Sequence, residues 1–123
     1  MKDSHGKIIF ILIIETAVGK MEAVYTTLIK EGYDYGFARS REDAIKIMTA
    51  KLYDFVIMDY ALPGMTVEEF QRVLGVNDSK AKIIFTFPKT ATSPIFDLKD
   101  CKWLGVPFQP EELLNLLTQS SVA

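Results

Sequence analysis

"FVIMDYALPGM" (residues 55–65) sets four apolar residues against an aspartate, Asp59, and brings Pro63-Gly64 four and five residues later. A short apolar run closed by turn residues reads as a buried strand, here "DFVIM" (54–58). The carboxylate then falls where the strand leaves the core and the turn begins. Asp59 is either a plain strand-end acid or the mouth of a site on one edge of a sheet. The flanking sequence bears on that choice.

Upstream, "KIIFILII" (7–14) is an unbroken apolar run, the pattern of a strand buried on both faces. Residues 17–31 then carry Val18, Met21, Val24, Tyr25, Leu28 and Ile29 at three- and four-residue steps, one face of a helix, with Gly32 to end it. "YDYGFA" (33–38) is a weaker strand. Ser40 and Asp43 form an N-cap and first-turn acid for a helix that buries Ala44, Ile47 and Met48. Downstream of the opening stretch, 66–76 places Val67, Phe70, Val73 and Leu74 on one face. "AKIIFTF" (81–87) is a fourth strand. A short helix is expected over 92–100, capped by Ser93 with Pro94 at its first position. "CKWLGV" (101–106) is a fifth strand, and 109–119 is a leucine-rich helix opened by Pro110 and two glutamates.

Five strand–helix repeats with short connections give an α/β domain, a doubly wound parallel sheet with helices on both faces. At 123 residues the chain is one domain, expected over 7–119, between an N-terminal tail (1–6) and a C-terminal tail (120–123). A chain of this size buries roughly 68% of its extended-state surface, enough for a core without disulfide or structural zinc. The single cysteine, Cys101, is expected to behave as a small core hydrophobe, and the lone His5 sits in the polar tail. A net charge of −2 gives no footprint for nucleic acid or an anionic membrane. The run at 8–14 is too short to span a bilayer and lacks a nearby cleavage site, so a cytoplasmic location is expected.

In such a sheet the ligand site lies off the carboxyl ends of the strands. Those ends carry Glu15 and Thr16, Asp59, Thr86, and Val106-Pro107-Phe108. With "ILII-E" (11–15), "VIMDYALPGM" (56–65), "IIFT" (83–86) and "VPF" (106–108), the chain resembles the receiver domains of two-component response regulators over essentially its whole length. The resemblance implies a flavodoxin-like fold with strand order 2-1-3-4-5 and a signalling module rather than an enzyme. Asp59 is then the phospho-acceptor, Thr86 a switch hydroxyl, and Trp103 a switch aromatic. Pro63 and Gly64 belong to the loop beside the acceptor, and the Val106–Pro107 peptide is expected to be cis. A histidine kinase or phosphotransfer protein is the implied donor. The output face is the surface of the 92–100 helix, the fifth strand and the 109–119 helix, for a protein partner or self-association.

Two departures from the family pattern change the expected chemistry. The family has two adjacent acids after its first strand, where this chain has Glu15 and Thr16. It also has a lysine before the proline of the fifth strand, where this chain has Val106. Magnesium takes one or two carboxylates plus waters, so Glu15 and Asp59, with Thr16 as a neutral ligand, are expected to hold it weakly. Lys89 is close enough in sequence to Thr86 to be weighed as a replacement cation, against the plainer reading of a solvated lysine.

Alternatives follow from these losses. One is a phosphorylation-independent pseudo-receiver acting as a protein-interaction module. The other is a small-molecule binder on the same edge. A phosphate loop at "ETAVGKM" fails, because Ile14 stands where a glycine is needed and Met21 where a hydroxyl is needed. A phosphatase built on Asp59 lacks its second acid at Ala61. "ETAVGK" is a poor flavin loop.

Overall fold

The computed structural model describes residues 8–15, 19, 21–61, 66–76, 80–90 and 101–119. Five strands, β1 (Phe10–Ile14), β2 (Asp34–Ala38), β3 (Phe55–Asp59), β4 (Lys82–Pro88) and β5 (Cys101–Val106), form one sheet in the order β2-β1-β3-β4-β5. Every pair is parallel. Helices α1 (Glu22–Lys30), α2 (Arg41–Ala50), α3 (Val67–Val76) and α4 (Pro110–Gln119) make the crossovers and the C-terminal element. The helix expected over 92–100 lies outside the described residues, as do both tails.

Burial follows the sequence logic. The central strands β1, β3 and β4 are the apolar runs; β1 and β3 are buried along nearly their whole length, and β4 from Ile83 to Thr86. A strand covered on both faces gains from apolar residues at every position. One face joins Ile11, Ile13, Phe55, Ile57, Ile84 and Leu104 to Val24 and Leu28 of α1 and to Leu113 and Leu117 of α4. The other joins Leu12, Ile14, Val56, Met58, Ile83 and Phe85 to Ala44 of α2 and to Val67, Phe70 and Leu74 of α3. The outer strand β2 keeps Tyr35 and Phe37 exposed. At its middle, Gly36 lets the Tyr53 hydroxyl approach to 2.8 Å from the position a Cβ would take.

Local signals explain the element ends. Ser40 has extended backbone and its Oγ accepts the Asp43 N–H at 2.9 Å. Asp43 in turn accepts the Arg39 N–H at 2.9 Å, a reciprocal cap that fixes the start of α2. Gly32, at φ 76°, ends α1 in the left-handed region that glycine enters freely. At the amino edge of the sheet, Asp54 accepts the Phe10 N–H at 2.9 Å through Oδ2, while its own N–H donates to the Phe10 carbonyl at 2.8 Å. Two expectations need correction. Ile29 is 60% exposed, since it lies on the solvent side of α1 while Leu28 takes the core position. Ile8 is 43% exposed, because regular pairing of β1 with β2 begins only at Phe10.

Candidate functional site

The carboxyl edge gathers the residues that the sequence singled out. Asp59 is the last residue of β3 and pairs in register with Thr86 of β4. It is only 8% exposed, and Thr86 is 4% exposed. Asp59 Oδ1 accepts the Ala61 N–H at 2.8 Å, a bond across the turn that aims the carboxylate off the strand end. The Tyr60 N–H donates to the Thr86 carbonyl at 2.9 Å and holds the two strand ends together. Thr86 Oγ1 lies 3.5 Å from the Met58 carbonyl, long for a hydroxyl donor, so this contact restrains the side chain weakly.

Glu15 follows β1 directly, and its N–H donates to the Ala38 carbonyl at 2.9 Å. Its carboxylate turns toward α1. Oε2 accepts the Met21 N–H at 3.0 Å, just ahead of the helix, and the carboxylate also accepts from the Tyr25 hydroxyl. Burial, the Glu15 charge, neighbouring Tyr35 and that hydrogen bond together push the Tyr25 phenol up to about 12. The Tyr25 ring stacks obliquely on Tyr35 at 5.3 Å, which positions its hydroxyl. As a donor set for a divalent cation this edge is thin. It offers Asp59 and a Glu15 that already serves α1. Among the described residues no group of three or more His, Cys, Asp or Glu side chains gathers to hold a metal. Two carboxylates and waters fit magnesium as a loose ligand set. Thr16, Pro63 and Gly64 lie outside the described residues.

The fifth-strand end is apolar. Val106 is half-buried and the Val106–Pro107 peptide is cis. Lys89 comes close in the backbone, donating its N–H to the Val106 carbonyl at 2.9 Å. Its side chain runs over Gly105, within 2.7 Å of where a Cβ would sit, and its Nζ meets Glu112 of α4 at 3.4 Å. Both partners of that pair are about half exposed (48% and 42%), so it is a surface contact of small worth.

Trp103 is half-buried in an aromatic group, 5.0 Å from the Phe85 ring, 5.2 Å from Tyr60 and 6.2 Å from Phe87. Tyr60 neighbours Asp59 in the chain, so these rings connect the turn after β3 to β5. Cys101 is partly buried against the same core and accepts from Gln71 Nε2 at 3.0 Å. An open groove of about 570 Å³, lined by Gly19, Glu22, Thr26, Phe108 and Pro110 among others, takes in Phe108 from the fifth-strand end but neither Glu15, Asp59 nor Thr86.

Three residues that matter here escaped sequence reasoning. Tyr25 reads as one more apolar position on α1. Asp54 reads as no more than the first residue of the third strand. Arg41 reads as a solvated residue at a helix start, yet it is 2% exposed and its Nε lies 3.3 Å from Met58 Sδ. A cation in a helix first turn opposes the helix dipole. That mismatch was the one signal in the sequence that could have flagged it.

Comparison with known proteins agrees with this geometry. Residues 11–117 match the response regulator receiver domain family. The transcriptional regulatory protein DltR of Streptococcus agalactiae is 29% identical over 110 residues, which are 85% of this chain and 48% of DltR. The chain thus spans about half the length of the curated relatives it matches. The Vibrio cholerae chemotaxis protein CheY4 superposes with a TM-score of 0.75 at 27% identity, covering 91% of this chain and 98% of that one. The receiver domain of the Pseudomonas aeruginosa sensor histidine kinase PA1611, solved with magnesium in its active-site cleft, superposes with a TM-score of 0.73 at 20% identity, covering 91% and 96%. That last likeness speaks for the fold alone.

Proposed function

The chain belongs to the response regulator receiver domain family, and from that premise we propose that Asp59 is its phospho-acceptor, working slowly on a weakened site. The observation that carries this reading is a nearly buried carboxylate at the carboxyl end of β3, in register with the Thr86 hydroxyl. The donor is a histidine kinase or phosphotransfer protein, and Thr86 and Trp103 relay the change. An Asp59 oxygen attacks phosphorus, the bond from phosphorus to the donor breaks, and an acyl phosphate forms as the donor leaves with the electron pair.

Catalysis of such a transfer is mainly positioning and charge stabilisation. Glu15 and Asp59 would hold magnesium, with Thr16 as a neutral ligand. A bound magnesium supplies positive charge to the transferring oxygens. The Glu15 carboxylate is shared with Met21 and Tyr25, which weakens that hold. Val106 brings no charge where the family has a lysine. Both features favour slow transfer, and in the limit they favour a second reading, a pseudo-receiver that binds partners without phosphorylation.

Intact-mass spectrometry after incubation with acetyl phosphate and magnesium tests the assignment. The expected result is a small, slowly accumulating fraction carrying one phosphoryl group, abolished by Asp59→Asn. Rapid and complete modification would overturn the weakened site. Modification that persists in Asp59→Asn would overturn the acceptor. No modification at all would support the pseudo-receiver.

A further inference from the structure

Arg41 has no part in the chemistry described so far. It opens α2, yet its side chain is among the largest fully buried ones in the domain. Ser40 and Asp43 fix the helix start, so the Arg41 side chain leaves the backbone at a defined place. The chain turns inward beneath the end of β3, where Nε lies 3.3 Å from the sulfur of Met58, the residue directly before Asp59. A guanidinium stays protonated in proteins, and taking it out of water is costly unless charges of opposite sign face it. Burial does lower the Arg41 pKa, while Glu42, Asp59 and Glu68 act against that. The acids that favour the ion therefore come from its own helix, from the acceptor position and from the start of α3.

A tool-shaped cation in contact with the phosphoryl group is not what this geometry offers. Met58 belongs to the sheet face under α2 and α3, and Ile57 to the opposite face. Arg41 contacts the residue beside Asp59, and the Asp59 charge acts on it through the field. A permanent charge in a buried place is weakly screened, and such fixed charges stabilise negative charge without reorganising.

We propose that Arg41 is a positioning residue for Asp59: its buried guanidinium holds a fixed positive potential under the carboxyl end of β3, which stabilises negative charge on Asp59 and on a phosphoryl group attached there. It supplies part of the positive field that Val106 does not. The second half of this statement rests on the reading of Asp59 as acceptor. The first half does not.

Two measurements on the whole chain test it. In the first, the Arg41 Nε–Hε resonance is followed by NMR in the wild-type chain and in Asp59→Asn. Removing the Asp59 charge is expected to shift that resonance clearly, while Glu111→Gln at an exposed position of α4 leaves it in place. A resonance indifferent to Asp59→Asn overturns the inference, whatever the chain does with phosphoryl donors. In the second, beryllofluoride with magnesium serves as the phosphoryl mimic, read by fluorine NMR. Arg41→Met, similar in length and uncharged, is expected to weaken binding about tenfold, the scale of one unit charge acting across a partly screened interior. Arg41→Lys is expected to stay within about threefold of wild type, since the charge rather than the fork shape matters. Equal binding in a folded Arg41→Met chain overturns the inference and leaves the acceptor reading intact. If wild type binds no beryllofluoride, the acceptor reading fails and the resonance decides for Arg41 alone, as it also does should Arg41→Met fail to fold.

Discussion

At the scale of single residues, the site is decided by what each carboxylate already holds. Glu15 accepts from the Met21 N–H and from the Tyr25 hydroxyl. Tyr25→Phe removes one of those donors and is expected to tighten magnesium binding by about threefold to tenfold, the worth of one net hydrogen bond. Calorimetric titration with magnesium checks this. Thr16→Asp should tighten it further, and Val106→Lys should speed modification by acetyl phosphate. The two should combine non-additively because they serve one site. Mass spectrometry of both single variants and the double variant checks that. The Tyr25 phenol also implies a pH dependence. Its folded value of about 12 lies above the ordinary 10.0, so the neutral form is favoured in the fold. The resulting stabilisation is complete below pH 10.0 and is lost as pH climbs through about 12. Tyr25→Phe should flatten that alkaline fall in urea midpoints. The placement of Asp59, Thr86 and Val106 toward the strand ends was legible from sequence because motif spacing marks them. The engagement of Glu15 was not, since a hydrogen bond between residues ten apart depends on how the loop returns to the sheet.

At the scale of elements, the alternation of apolar runs with helical faces was enough to find the strands, and parallel order followed from short crossovers. The five strand ends agree with expectation to within a few residues. What periodicity could not assign was the sharing of each face. Ile29 and Leu28 are adjacent and equally apolar, and only the packing of α1 against β1 and α4 decides that Leu28 is inside. The cap of α2 carries a clear energetic expectation. Ser40→Ala removes the acceptor for the Asp43 N–H and should cost about 1 kcal/mol. Phe70, fully buried between α3 and the sheet, should cost about 3–5 kcal/mol when cut to alanine. Urea denaturation of both variants checks the ordering. If Ser40→Ala cost as much as Phe70→Ala, the cap would be holding Arg41 in place as well as the helix.

At the scale of the whole molecule, the sheet separates two cores and carries Asp59 on one rim. The aromatic group around Trp103 joins that rim to β5, which makes β5 and α4 the surface through which a change at Asp59 is expected to reach a partner. Trp103→Ala should therefore weaken self-association or partner binding, and sedimentation of wild type and variant tests the first of these. An unchanged oligomeric state together with unchanged partner binding would remove Trp103 from that role. The opposite border of the sheet has a different consequence. β2 pairs with β1 on one side only, and it presents Tyr35 and Phe37 around a central glycine. Such a rim is a template on which further strands can add, and natural chains blunt it with charge. Here Asp34 is the one charged residue within the strand. In concentrated solution, and above all when heat loosens the domain, β2 should seed ordered polymers. Phe37→Lys should lengthen the lag before thioflavin fluorescence rises, so the shelf life of the protein in the test tube would be set at the border farthest from β5.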